Sequence, residues 1–141
     1  MDQLDLPKDV IWSDRRFWFE DLEAEYSQSG AQAPSEQACA LMIDLQATFC
    51  VGAWAATIIL CSSIIQAQIK EHGTQLSWID PKELSWMNKL RNRIVHGDKR
   101  KPGITIQDQW TRRDDWEQRA RKAVELTFKS LYPVGAVSLL D

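Results

Sequence analysis

The sequence predicts an all-α fold, in which turn residues separate several helices. Apolar residues recur three and four positions apart, no alternating apolar and polar run is long enough for a confident strand, and capping and turn residues separate the periodic stretches. With 141 residues, of which 44% are hydrophobic and 26% charged, the chain suits one domain with one core.

The N-terminal segment, residues 1–34, is predicted to be one helix and a linker. Ser13 or Asp14 can cap a helix that continues through Glu25. Its expected apolar contacts are Ile11, Phe17, Trp18 and Leu22. Residues 27–34, rich in Ser, Gln, Gly and Ala, form the expected linker.

The main bundle is expected over residues 35–132. Ser35 is the predicted N-cap of an apolar stretch that continues to His72. One helix of that length would extend about 55 Å, so we expect a break near Gly52. The uncharged run 47–65 has the length of a membrane span. Because it contains Ser, Thr and Gly and has no flanking basic cluster, we favour a helix surrounded by other helices.

Two further helices follow. Asp80 and the proline after it are typical of a helix start, and Gly97 is typical of a helix end. Together they predict a helix over 82–96. Residues 98–110 are predicted to be a basic loop with at most a short extended piece. Thr111 and the aspartate three residues later resemble a capping box that starts a last helix, ending before Pro133. Its predicted inward stripe is Trp116, Ala120, Ala123, Val124, Thr127, Phe128 and Leu131. Residues 133–141 form the expected tail.

Charge is divided unevenly along the chain. Residues 1–80 hold 4 Lys/Arg and 12 Asp/Glu, whereas residues 81–141 hold 13 and 8, although the whole chain carries only −3. The basic half can attract polyanions and the acidic half a basic partner; solvated helix faces are the alternative explanation.

The cysteines and the N-terminus predict a cytoplasmic protein. Cys39, Cys50 and Cys61 form no CxxC pair and lie 11 residues apart, about 16 Å on one helix, which is too far for a disulfide. We expect reduced thiols in the core and no metal site. The first residues lack a signal-peptide pattern.

The sharpest functional signal is a group of polar residues in the predicted helix 82–96. Asn92 and His96 share a face, while Arg91 lies about 140° round the helix from His96. Histidine moves protons near neutral pH, and arginine binds phosphate, so these residue types suit phosphodiester cleavage without a metal. A symmetric dimer would bring both side chains to one cleft. On spacing alone, a helix-end histidine with no catalytic role is the alternative.

Residues 90–97, Leu-Arg-Asn-Arg-Ile-Val-His-Gly, resemble the Arg-x4-to-6-His signature of HEPN domains, including its frequent Arg-Asn start. Residues 51–60 resemble the Gly-Ala-aromatic opening of the long HEPN helix that precedes the motif helix. A final amphipathic helix follows, and the likeness extends over about residues 36–132.

The resemblance implies an up-and-down helical bundle, here with an additional N-terminal helix, that dimerises with its motifs facing each other. It further implies a metal-independent RNA endonuclease, acting as a toxin or in phage defence, with no cofactor and with an antitoxin or other regulator as a further partner. By this likeness Arg91 and His96 are the catalytic pair and Asn92 the polar residue after the arginine. A noncatalytic HEPN-type module that binds RNA or protein is the alternative. Asp98 stands where the toxins paired with a minimal nucleotidyltransferase have a tyrosine, so regulation by modification of that tyrosine is not carried over.

Basic residues near the motif are the expected RNA contacts. They are Arg93, Lys99, Arg100 and Lys101, with further positive charge at Arg112, Arg113, Arg119, Arg121 and Lys122. Trp110 and Trp116 are candidates for stacking on unpaired bases, with core packing as the alternative.

Overall fold

The computed structural model describes residues 5–28, 34–72 and 76–132. Within these ranges the helices are α1 (Asp9–Ser27), α2 (Glu36–Val51), α3 (Trp54–His72), α4 (Pro81–His96), α5 (Ile106–Thr111) and α6 (Arg113–Leu131). The described residues contain no strand beyond an isolated bridge between Asp98 and Lys101. The all-α class is therefore confirmed.

Helix α1 begins earlier than predicted. Its N-cap is Lys8, whose side chain makes no capping hydrogen bond, and the predicted caps Ser13 and Asp14 lie inside the helix. Phe19 is buried in the core. The prediction that Phe17 and Ile11 make core contacts is wrong, because they are 59% and 40% exposed. Phe17 lies two residues from Phe19 and therefore on the other side of the helix. Trp18 and Leu22 do pack against the core, as predicted.

The predicted start of α2 and the break after it are both confirmed. The Ser35 hydroxyl accepts a hydrogen bond from the Ala38 amide at 3.0 Å, and Gly52 ends α2 in the left-handed conformation, with φ of 83°. Two arginines bind carbonyls at this helix end. Arg15 donates to the Cys50 carbonyl at 3.1 Å, and Arg113 donates to the Gly52 carbonyl. The uncharged run is thus divided between two helices, and among the described residues no helix has the length and apolarity to cross a bilayer.

The start of α4 agrees with the prediction, whereas the start of α6 does not. The Asp80 carboxylate accepts a hydrogen bond from the Lys82 amide. The predicted loop contains α5, capped by a reciprocal pair of hydrogen bonds between Thr105 and Asp108. The predicted capping box at Thr111 is wrong, because Thr111 ends α5 and its hydroxyl donates to the carbonyl of Gln107. The inward stripe of α6 is confirmed, since all seven predicted residues are buried.

The long helices α1 to α4 alternate in direction, whereas α6 runs parallel to its neighbour α1 and opposite to α4. Arg15, in the first half of α1, binds Cys50 at the end of α2, and the Ser35 amide before α2 binds Gln68 near the end of α3. Helix α3 packs against α2, α4 and α6, while α1 packs against α2 and α6. The core therefore surrounds α3. Helix α4 lies on the outside of this arrangement and keeps one face exposed.

The thiols differ in their burial. Cys50 and Cys61 are buried, whereas Cys39 is exposed, so the prediction of core thiols is wrong for Cys39. Burial raises the pKa of the Cys61 thiol to about 12, which keeps it protonated and unreactive near neutral pH.

Candidate functional site

Helix α4 has a buried face and an exposed polar face. Met87 and Leu90 are buried in the core, whereas Asn88, Asn92 and His96 are exposed at intervals of four residues. Residues four apart lie one above another on a helix, so these three side chains form a row, which we call the α4 polar row. The row ends at the C-terminal turn of α4.

Arg91 lies beside this row and is half-buried. Its Nη1 donates a hydrogen bond to Oδ1 of Asn92 at 3.0 Å. His96 is exposed and makes no hydrogen bond or ion pair with any residue in the described ranges. The structure therefore brings together Arg91 and Asn92, but it does not bring Arg91 to His96 within one chain.

The basic turn, residues 99–101, is held against the end of α4 by two glycines. Gly97 has φ of 77°, and a Cβ there would lie 2.7 Å from the Lys101 carbonyl oxygen. A Cβ on Gly103 would overlap the Arg93 carbonyl oxygen. Between the glycines, Asp98 and Lys101 exchange two backbone hydrogen bonds, of 2.8 and 2.9 Å. The backbone thus fixes the turn close to the motif.

All four predicted RNA contacts have exposed side chains. Lys99, Arg100 and Lys101 project from the turn, and Arg93 lies on α4 beside Gly103. Their positive charges are therefore available to a ligand near the C-terminal end of α4.

The five other cations that were candidates for RNA binding all have partners within the chain. Arg113 binds the Gly52 carbonyl, and Arg121 pairs with Glu117 at 3.0 Å. Arg119 and Lys122 stack on the rings of Trp116 and Trp86, and Arg112 lies 3.4 Å from Asp108. These contacts favour a structural role for that group.

The two tryptophans considered for base stacking differ in exposure. Trp116 is only 2% exposed, so core packing is the correct alternative for it. Trp110 is 57% exposed on α5.

Sequence reasoning missed a groove of about 600 Å³ between α3 and α4, beside Arg91. Its lining residues are mostly polar: Gln37, Ser62, Ser63, Gln66, Ala67, Lys70, Asn88, Arg91 and Asn92. Ser63, Gln66 and Lys70 follow one another at helical spacing in a helix that is otherwise largely apolar. That polar stripe was the available signal.

The part of the chain that the structure describes contains no group of three or more His, Cys, Asp or Glu side chains that could hold a metal ion. Neither protein-family models nor comparisons with curated proteins and solved structures give a match for this chain. The HEPN resemblance therefore stays a prediction.

Proposed function

We propose that this protein is a metal-independent RNA endonuclease of the HEPN type, with its active site between the α4 helices of two copies. The observation that carries the proposal is the exposed α4 polar row. In it, His96 has no partner among the described residues, and Asn92 holds the guanidinium of Arg91 at 3.0 Å. The proton-transfer group and the phosphate-binding group are thus both accessible at the end of one helix.

A second copy is needed because of helix geometry. Arg91 and His96 are about 140° apart around the axis of α4. Within one chain, their side chains therefore point in directions too different for both to contact the same phosphate group. Val95, beside His96, is apolar and 44% exposed. A two-fold interface on this face would bury Val95 and place Arg91 of one subunit beside His96 of the partner subunit.

The proposed reaction uses the ribose 2′-hydroxyl as nucleophile. His96 accepts the hydroxyl proton while the 2′-oxygen forms a bond to phosphorus, and the bond from phosphorus to the 5′-oxygen breaks. The leaving 5′-oxygen takes a proton from solvent. Arg91 neutralises the charge that accumulates on the phosphate oxygens. The products carry a 2′,3′-cyclic phosphate and a 5′-hydroxyl.

The basic turn supplies long-range attraction for RNA. Lys99, Arg100 and Lys101 are exposed and follow the motif directly. Each phosphate contact makes binding to a single strand more sensitive to salt, with a slope of about −0.7 in log K against log salt. Such attraction compensates locally for the net negative charge of the chain.

The biological setting in this proposal comes from the resemblance. In this setting the protein is a cytoplasmic ribonuclease that acts as a toxin or in phage defence. An antitoxin or other regulatory protein controls its activity. Growth arrest on expression, relieved by His96→Ala, would support this setting.

The deciding experiment is incubation of the purified wild-type protein and His96→Ala with mixed RNA in EDTA. We expect the variant to lose a factor of about 10² to 10⁴ in cleavage rate, the usual worth of general acid–base catalysis. His72→Gln, which changes the chain's other histidine, is the matched control and should cleave normally if its melting temperature is unchanged. Undiminished cleavage by folded His96→Ala would refute the proposal. Salt-sensitive binding without cleavage by the wild-type protein would favour the noncatalytic RNA-binding module.

A further inference from the structure

The groove between α3 and α4 has a cation at each end. Gln66 of α3 and Asn88 of α4 approach each other in its middle, with 3.5 Å between Nε2 and Oδ1. Lys70 lies one turn beyond Gln66 along α3, and Arg91 lies about one turn beyond Asn88 along α4. Because α3 and α4 run in opposite directions, those two steps lead to opposite ends of the groove.

The length of the groove can be estimated from the helix rise. Ser63 lines the Arg91 end, and seven residues separate it from Lys70, which corresponds to about 10 Å along α3. The volume of about 600 Å³ lies within the range of small-molecule sites, roughly 300 to 1,000 Å³. A short stretch of single-stranded nucleic acid therefore fits the groove in length and volume.

The lining of the groove favours a polyanion with polar edges. No carboxylate lines it, although the chain as a whole is acidic. Between the two cations the lining consists mainly of amide and hydroxyl side chains. Amides offer both donors and acceptors, the combination that base edges require, while lysine and arginine bind phosphates.

We propose that this groove is a subsite for the nucleotide next to the scissile bond. The Arg91 end lies at the cleaved phosphate, the flanking base contacts the amides of Gln66 and Asn88, and Lys70 binds the next phosphate. The inference rests on the proposed ribonuclease function. It adds that residues of α3, outside the motif, determine which base stands beside the cut.

Two single substitutions test the two parts of this subsite. Gln66 and Lys70 are exposed, so Gln66→Ala and Lys70→Ala should leave the melting temperature unchanged. Lys8→Ala, which removes an exposed lysine at the start of α1, is the matched control for charge.

Binding is measured by fluorescence anisotropy with a single-stranded RNA oligonucleotide of mixed sequence, in the His96→Ala background so that cleavage is slow compared with the measurement. We expect Lys70→Ala to reduce the salt dependence by about 0.7 in slope, one phosphate contact, and Lys8→Ala to leave it unchanged. An unchanged slope in Lys70→Ala would overturn the phosphate part of the proposal. This arm gives a result even if the wild-type protein does not cleave RNA.

Base preference is measured by sequencing the ends of cleavage products from the Gln66→Ala protein with His96 intact. A lost amide contact should change the preference at the flanking position about fivefold or more, with the total rate much less affected. An unchanged preference together with continued His96-dependent cleavage would overturn the subsite and leave the nuclease proposal standing. Absence of cleavage by the wild-type protein would refute the nuclease proposal instead.

Discussion

Arg91 donates a hydrogen bond across 3.0 Å to Asn92, its neighbour in the chain. This contact holds the guanidinium beside the α4 polar row, and no further hydrogen bond joins it to a residue in the described ranges. Its remaining N–H groups are thus available to phosphate oxygens. Asn92 therefore acts as a positioning residue for Arg91 in the proposed reaction.

Substitution of Asn92 by alanine tests that positioning. We expect Asn92→Ala to lower the cleavage rate about tenfold, because a hydrogen bond to a charged group contributes about 1.5 to 3 kcal/mol and this one is exposed. The melting temperature should not change, since Asn92 makes no core contact. Ser85→Ala, another exposed polar position on α4, is the control. A wild-type rate for Asn92→Ala would exclude the positioning role.

The shared active site predicts recovery of activity in mixed dimers. Arg91→Ala and His96→Ala should each be inactive alone. Co-refolded in equal amounts, they should recover about a quarter of the wild-type activity, because half of the dimers are mixed and each holds one intact pair contributed by both subunits. Cleavage of labelled RNA measures the recovery, and the refolded single variants are the controls. If the mixture stays inactive although mixed dimers form, Arg91 and His96 act within one chain or not at all.

Helix boundaries marked by side-chain caps were predictable from the sequence. Ser35, Asp80 and the glycines 52 and 97 mark ends that the structure confirms. The start of α1 was missed because Lys8 provides no side-chain cap. The sequence contains two Thr-x-x-Asp patterns in the α5 region, at Thr105 and at Thr111, and the prediction used only the second. Local sequence cannot choose between them, whereas in the fold Asp108 is buried and completes the first.

The motif could be found from sequence, but the groove beside it could not. Arg91, Asn92 and His96 stand within six residues, so their relative positions follow from helix geometry alone. The groove also needs Gln66 and Lys70, which approach α4 only because α3 and α4 pack together. The alternation of apolar and polar positions along a helix indicates which face is exposed, but not which residues of the next helix meet it.

Gly103 should be intolerant of any side chain. A Cβ there would overlap the backbone carbonyl oxygen of Arg93, which cannot move without disturbing the last turn of α4. We expect Gly103→Ala to lower the free energy of unfolding by about 1 to 3 kcal/mol, the usual effect of overpacking. Urea unfolding followed by circular dichroism measures the change. Substitution of the exposed neighbour Pro102 by alanine should have a smaller effect. Equal midpoints for Gly103→Ala and the wild-type protein would contradict the packing of this turn.

The capping box of α5 predicts a pH-dependent contribution to stability. The Asp108 carboxylate accepts a hydrogen bond from the Thr105 amide at 2.9 Å. This hydrogen bond is the main cause of the lowered pKa of Asp108, and the positive charge of nearby Arg112 lowers that pKa further. A folded-state pKa below the unfolded value of about 3.9 means that folding favours the ionised form. The stabilisation is therefore complete above the unfolded pKa and is lost as the pH falls through the folded pKa.

Asp108→Asn removes this charge and keeps a side-chain oxygen that can accept the Thr105 hydrogen bond. The variant should be less stable than the wild-type protein at pH 7, on the order of 0.5 kcal/mol for a charge at a helix N-terminus. The difference should begin to shrink below about pH 4, where the carboxyl of the unfolded chain becomes protonated, and should be lost as the pH falls through the lower folded-state pKa. Urea unfolding at a series of pH values measures both curves. A difference that is constant from pH 7 to pH 3 would mean that the charge of Asp108 does not stabilise α5, and the destabilisation would then come from the changed hydrogen bond alone.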